Sequence, residues 1–405
     1  MAQSADTLRS IPVDPAVIAP ASIARPRLDS VDLLRGTIMA LMLIDHTRDF
    51  FMSPGLSPTR MATTTPALFL TRWITHFCAP TFELLAGVGA FLYLSRGKTK
   101  KQLSWFLLTR GLWLLVLEFT IGLWGVMLNI DYHVVWLLVL WALGCSMIVL
   151  AGLIHLPRWA LGAVAFGLIA FHNLFDRIDA TSLGAFSWPW SILHQVRVVQ
   201  FGEGKFFLLG YPLIPWVAVM ASGYLLGELL LKPRDERRRL IFRIGLGLTL
   251  GFIVLRAINI YGDPAPWQHQ PSLIMTFCSF LNCTKQPPSL LFLMMTLGPS
   301  LMALAWFDRP LPKWTNPIIT FGRVPMFFYL LQFPVAHGLA LLLAAVLGHN
   351  LWHQLAPFMP TPAWYGYPLW VTYAAWLVGL LLLYPLCAWY ADVKKRSRSP
   401  WLSYL

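Results

Sequence analysis

The segment VDLLRGTIMALMLIDHTRDFF (31–51) places charge near both ends of an otherwise apolar run. Its length matches the roughly 20 residues with which an α-helix crosses a hydrocarbon core. Arg35 and His46 stand eleven residues apart. That is about 1,100° of helical rotation, so the two share a face about 16 Å apart along the axis. Met39 and Met42 lie between them. The face reads as an elongated apolar channel wall, basic at one end and carrying an imidazole at the other. Asp32, one turn before Arg35, is in reach of it. Asp45 and Asp49 flank His46 and are placed to orient or charge it.

Apolar stretches of this length recur at about 31–52, 66–95, 103–125, 132–154, 158–175, 206–231, 240–260, 289–307, 316–347 and 368–392. They predict an all-α polytopic membrane protein of about ten spans. Pro325 and Pro334 predict a kink or break in 316–347. Composition agrees. Hydrophobic residues make up 57% of the 405 and charged residues 12%, with a mean hydropathy of +0.61, whereas a soluble globule carries about 25% charged residues. Residues 1–28, rich in Pro, Ala and Ser and without a continuous apolar run, read as a disordered tail rather than a signal peptide. The expected organisation is that tail, a transmembrane domain over 29–393 and a basic tail over 394–405.

The net charge of +13, from 31 Lys and Arg against 18 Asp and Glu, is gathered in short clusters between apolar runs. Arg25 and Arg27, Arg96 to Lys101, Arg158, Lys232 to Arg239, Arg309 and Lys313, and Lys394 to Arg398 all fall on one side for the spans above. The positive-inside rule makes that side, and both termini, cytoplasmic. No basic face with interleaved aromatics points to nucleic acid. Five cysteines at irregular spacing form neither a disulfide scaffold nor a metal site. Cys278 and Cys283 are near enough in sequence for pairing to stay open, while Cys78, Cys145 and Cys387 read as core. Of the long outer loops 176–205 and 261–288, the first carries FSWPWSILHQ (186–195), an interfacial helix by its tryptophans.

Ionisable groups at bilayer depth cost a few kcal/mol each and are functional candidates. The Arg35–His46 face suits a long ligand with an anionic head and a reactive tip. The arginine would hold phosphate, and the imidazole would act as general base on an acceptor hydroxyl or amine. Acyl-CoA has that shape. The other reading is a structural Arg35–Asp32 pair with His46 as a satisfied polar residue.

The Arg and His of the first helix resemble the motif of the membrane-bound acyltransferase-three group. The wider context resembles the bacterial relatives of heparan-α-glucosaminide N-acetyltransferase, through 27–51, TRWITHFCAPTFELLAGVGAFLYLSR (71–96), LLTRGLWLLVLEFT (107–120), FLNCTKQPPSLLFLMMTLGP (280–299) and FGRVPMFFYLLQFPVAHGLAL (321–341). This resemblance implies an acyl-CoA donor, acetyl-CoA above all, entering from the cytoplasm of a bacterial inner-membrane protein. It implies transfer to a sugar or cell-envelope glycan on the opposite face, with His46 as catalytic base, Arg35 as donor ligand and no metal. Gln332 stands where many relatives carry His, which leaves His337 as a polar partner.

Around this pair stand further candidates. Arg110 is either a second phosphate ligand or a partner of Glu83 or Glu118, and Arg323 a further CoA ligand. Glu83 either holds an arginine or orients His46 in catalysis. Arg72 and His76, one turn apart, and Asn282 and Lys285, ahead of Pro287 and Pro288, are candidates for the acceptor site, His76 being either an acceptor-site imidazole or an interfacial hydrogen-bonder. Lys285 either stabilises an oxyanion or snorkels to the interface. The rival function is a transporter or flippase of an anionic or lipid-linked solute, using the same buried groups. Oligomeric state stays open, a homo-oligomer included.

Overall fold

The computed structural model describes residues 27–53, 55–128, 132–351, 362, 364–397, 399 and 402. The tail expected over 1–28 lies almost wholly outside these residues, as does much of 394–405. Of the described residues, 72% are helical, with almost no sheet.

Helix α1 (Asp29–Phe51) is the axis of the bundle. Around it pack α3 (Cys78–Leu94), α12 (Leu290–Phe307), α13 (Asn316–Arg323), α14 (Pro325–Val346) and α15 (Leu369–Arg396). The approach of α13 is the closest. A Cβ on Gly36 would lie 1.8 Å from the Ile318 carbonyl oxygen, and one on Gly322 would lie 1.8 Å from that of Asp32. Only hydrogen fits at either position, so two backbones touch where small residues face each other. The expected break within 316–347 falls at Val324 (φ −130°, ψ 51°), just ahead of Pro325, a residue that disfavours helix for its predecessor. Helix α15 runs on to Arg396, past the boundary expected at 393.

A second layer pairs α9 (Leu213–Leu229) with α3 and α7 (Arg158–Phe171), α4 (Lys100–Leu117) with α6 (Val139–Leu153), and α10 (Arg234–Ile258) with α12. The short helices α2 (Pro66–Thr75), α5 (Leu123–Met127), α8 (Ser187–His194) and α11 (Leu273–Leu281) complete the set. A π-helical turn over Glu118–Gly122 joins α4 to α5. Glu118 accepts the Leu138 N–H at 2.5 Å, holding the residue that caps α6.

Among the described residues, seven helical segments are long and apolar enough to cross a membrane: Pro66–Leu94, Lys100–Met127, Arg158–Phe175, Arg234–Ile258, Leu290–Phe307, Pro325–Val346 and Leu369–Arg396. The expectation was ten, and the shortfall has physical causes. Helix α1 has the length but carries Asp32, Arg35, Asp45, Arg48 and Asp49. Helices α6 and α9 are apolar but only 15 and 17 residues long. The ranges 132–154 and 206–231 instead begin in strands, β1 (Val134–Leu137) and β3 (Lys205–Leu209). These lie parallel, Val134 beside Phe206, and β2 (Arg197–Gly202) pairs antiparallel to β3 with Arg197 opposite Leu209. Val134, Val135 and Trp136 in β1 and Phe206 and Phe207 in β3 are β-branched or aromatic. They favour pleated backbone while reading as apolar as a helix. The loop expected over 176–205 thus holds β2 as well as α8, a helix over the segment expected to be interfacial.

The basic clusters gather at one end of the bundle. Arg27, Arg96, Arg237, Arg323 and Lys394 line one cavity there, and Arg158 pairs with Glu228 of α9 at 2.7 Å.

Candidate functional site

Polar groups concentrate at the two ends of α1. At the basic end lies a cavity of about 490 Å³. Arg27 and Arg35 reach it from the α1 region, Arg96 from the end of α3, Arg110 from α4, Arg237 from α10, Arg323 from α13 and Lys394 from α15. The three expected donor ligands, Arg35, Arg110 and Arg323, therefore converge from distant parts of the chain. Asp32 is the one carboxylate among the lining residues described. It binds Arg27 through two atoms and takes Arg35 Nη1 at 3.3 Å, with Arg323 Nε at 3.9 Å. Within the lining one carboxylate faces seven cations; from behind it Asp308 holds Arg237 and Asp29 lies 3.2 Å from Arg323, and the remaining excess leaves a positive concavity, which attracts and concentrates anions. Arg35 also donates to the Gly322 carbonyl at 3.2 Å, so the close α1–α13 contact fixes its direction. Arg110 lies over the Phe106 ring at 5.7 Å. Deeper in, Phe82, Leu85, Leu114, Leu143 and Met147 make an apolar wall.

The continuous channel expected along α1 is closed. Met39 is fully buried and Met42 is 5% exposed, and neither they nor His46 line the cavity. Their unbranched side chains pack the middle of the bundle, separating the two polar ends.

At the far end, Asp45 is the hub. Arg72 donates to its Oδ2, Thr75 Oγ1 to its Oδ1 at 3.1 Å, and Arg48 Nη1 lies 2.7 Å from the same oxygen. Asp45 is thus spent on two arginines rather than on orienting His46. The carboxylate in line with the imidazole is Asp49, its Oδ2 at 4.0 Å from His46 Nδ1, and Asp49 also takes Arg48 at 2.5 Å. The His46 ring packs on Phe333 with centroids 4.0 Å apart. His76 is buried against Phe292, and its Nδ1 has no hydrogen-bond partner among the described residues.

Lys285 reaches this cluster from the loop between α11 and α12, outside the spanning helices, and lies 6.0 Å from the Tyr211 ring centre. Burial, then the Arg72 charge, lower its pKa to about 8 despite Asp45. Asp263 fixes the loop, accepting from Thr284 N at 2.8 Å, Thr284 Oγ1 at 3.0 Å and Ser289 Oγ at 2.6 Å. Broken backbone around Pro287 and Pro288 therefore presents a lysine to the polar centre, as non-helical backbone at a cavity does.

Other expected residues are placed differently. Glu83 meets neither an arginine nor His46. It faces Ser146 of α6, and its Oε1 lacks a partner among the described residues. The Asn282 side-chain amide donates to the Thr59 carbonyl at 3.0 Å, and its backbone carbonyl accepts Arg256 Nη2 at 2.7 Å. Arg256 also bonds the carbonyls of Phe280, Ala265 and Ser279, which accounts for its burial. Cys278 and Cys283 are free thiols, both buried. Gln332 donates to Met42 Sδ at 3.3 Å, and His337 pairs with the Val126 carbonyl at 3.0 Å while stacking on Phe50. Arg48 and Tyr211 belong to the far cluster without having been singled out. Arg48 was detectable, three residues after Asp45 on the same helix.

A multi-pass helical membrane protein with a cationic cavity at one end of its central helix and a charged, imidazole-bearing centre at the other has the outline of a membrane-embedded enzyme. The comparison with known families is specific. The model of the catalytic domain of heparan-alpha-glucosaminide N-acetyltransferase matches residues 27–261, more than half of the chain. The chain belongs to that family of membrane acetyltransferases. The match contains Arg35, His46, Arg72, His76 and Arg110 and stops short of Lys285 and Arg323. No curated protein matches the chain in sequence.

Proposed function

We propose that this acetyltransferase takes its acyl group, acetyl first of all, from acyl-CoA held in the basic cavity, and passes it to an amine or hydroxyl at the far end of α1. The acceptor class is a sugar or cell-envelope glycan, and no metal takes part. The membrane is the bacterial inner membrane, with the basic end and both termini cytoplasmic. One observation carries this reading: Arg35, Arg110 and Arg323 line a single cavity in which seven cations outnumber the carboxylates that reach them, Asp32 in the lining and Asp29 and Asp308 behind it. That is a setting for the several phosphates of CoA, which arginine binds by charge-assisted hydrogen bonds.

His46 is the general base. With Nδ1 towards Asp49, its other nitrogen takes the acceptor's proton. The acceptor's lone pair attacks the thioester carbonyl, the carbon–sulfur bond breaks, and the CoA thiolate leaves and is protonated. Lys285 stabilises the oxyanion formed between these steps. Asp45 holds Arg72 and Arg48 in place, and with His76 they frame the acceptor. For transfer the thioester arm has to pass Met39 and Met42, whose flexible side chains yield at low cost.

The test is acetyl-CoA binding and CoA release by purified protein in detergent, with amino sugars added. Wild type should bind acetyl-CoA and release CoA. His46→Ala should bind equally and lose about 100-fold or more of the release. Failure of wild type to bind acetyl-CoA would overturn the donor assignment. Undiminished turnover in His46→Ala would overturn the base.

A further inference from the structure

On the outer surface beside the basic end, a groove of about 680 Å³ runs between α10 and α12. Its wall on α10 carries Arg238, Arg239 and Arg243, and its floor is apolar, with Phe242, Met302 and Trp306. Trp306 is 57% exposed, and Arg309 lies over its ring at 4.3 Å. Among the described residues no carboxylate lies within ion-pair distance of any of these four guanidinium groups, and two of the neighbouring acids are engaged elsewhere. Asp308 takes Arg237 in a bidentate pair at 2.5 and 2.7 Å, and Glu236 takes Lys232. Asp235 is the one carboxylate on the groove wall. Arg238 and Arg239 each donate Nε to a backbone carbonyl, Ala305 at 3.2 Å and Asp235 at 3.3 Å. Beyond Arg243, the same helix exposes Leu246, Leu250, Ile253 and Val254, a surface suited to acyl chains.

The geometry points to a binding site for the headgroup of an anionic phospholipid. Its phosphate would sit among Arg238, Arg239 and Arg243, with its glycerol on Trp306 and its chains along α10. Basic pockets between membrane helices take such headgroups, and the apolar floor favours a lipid over a free phosphate. The site faces away from the donor cavity and does not depend on the acetyl-transfer reading.

Native mass spectrometry of the full chain tests it, with phosphatidylglycerol, cardiolipin or phosphatidylcholine added in turn. Wild type should retain the two anionic lipids under activation that strips phosphatidylcholine. Arg239→Gln/Arg243→Gln should reduce the anionic lipid retained at least fivefold. The melting temperature in lipid-free detergent should stay unchanged, which separates lost binding from misfolding. Equal retention of all three lipids by wild type, or undiminished retention by a variant that melts normally, would overturn the site. So would inorganic phosphate displacing the lipid at equal concentration, which would assign the guanidinium groups to a soluble anion.

Discussion

Asp45 shows how one carboxylate decides the state of its neighbours. It sits between Arg48 and Arg72, whose side chains are 8% and 18% exposed. Removing one member of such a group leaves a buried charge uncompensated, at about 3–5 kcal/mol. Asp45→Asn should therefore lower the melting temperature far more than Asp49→Asn, whose side chain is 53% exposed; equal effects would contradict the hub assignment. Lys285 sets a pH dependence. Its pKa is lowered in the folded chain to about 8 from an ordinary 10.5. Above the ordinary value neither state is charged, and below about 8 both are. Between the two the unfolded chain binds the extra proton, so stability rises with pH across that window. Lys285→Met should flatten this rise in thermal melts taken from pH 7.5 to 10. Activity should show the opposite trend, falling above about pH 8 as the ammonium is lost, and Lys285→Arg should carry it to higher pH.

At the scale of elements, the crossing of α1 and α13 links packing to chemistry. Gly36 and Gly322 permit the contact, and the Gly322 carbonyl holds Arg35. Gly322→Ala places a methyl group where backbone already stands. Overpacking of this kind costs about 1–3 kcal/mol or more, and here it also releases Arg35, so acetyl-CoA binding should weaken along with stability. Gly338→Ala, with nothing within 4 Å of the added carbon, is the neutral control in the same melts and titrations. Part of this was legible beforehand. The periodicity of 31–51 placed Arg35 and His46 on one face, and Pro325 marked the break. The strands were not legible, because β1 and β3 are as apolar as the helices they precede, and hydropathy cannot separate the two. Nor was the allegiance of Asp45: His46, Arg48 and Arg72 were all in reach, and tertiary packing made the choice.

Over the whole molecule, the basic clusters gather at one end, and the cavity there collects cations from segments that span nearly the whole chain. Their spacing in sequence could reveal a basic side but not that Arg96, Arg237 and Lys394 join Arg35 in one pocket. Binding there should be salt-sensitive. Arg110→Gln/Arg323→Gln should weaken acetyl-CoA about tenfold or more by calorimetry, since hydrogen bonds to charged groups contribute about 1.5–3 kcal/mol each. Unchanged affinity would move the donor elsewhere. Between the two ends stand Met39 and Met42. A membrane that stores energy as an ion gradient tolerates a wet site on each face only while nothing wet joins them. The two thioethers are buried, and in the proposed reaction they would be that insulation, yielding to a slender chain and refusing hydrated ions. Met39→Ala/Met42→Ala should accordingly speed the collapse of a pH gradient across reconstituted vesicles, a short circuit that the intact helix prevents.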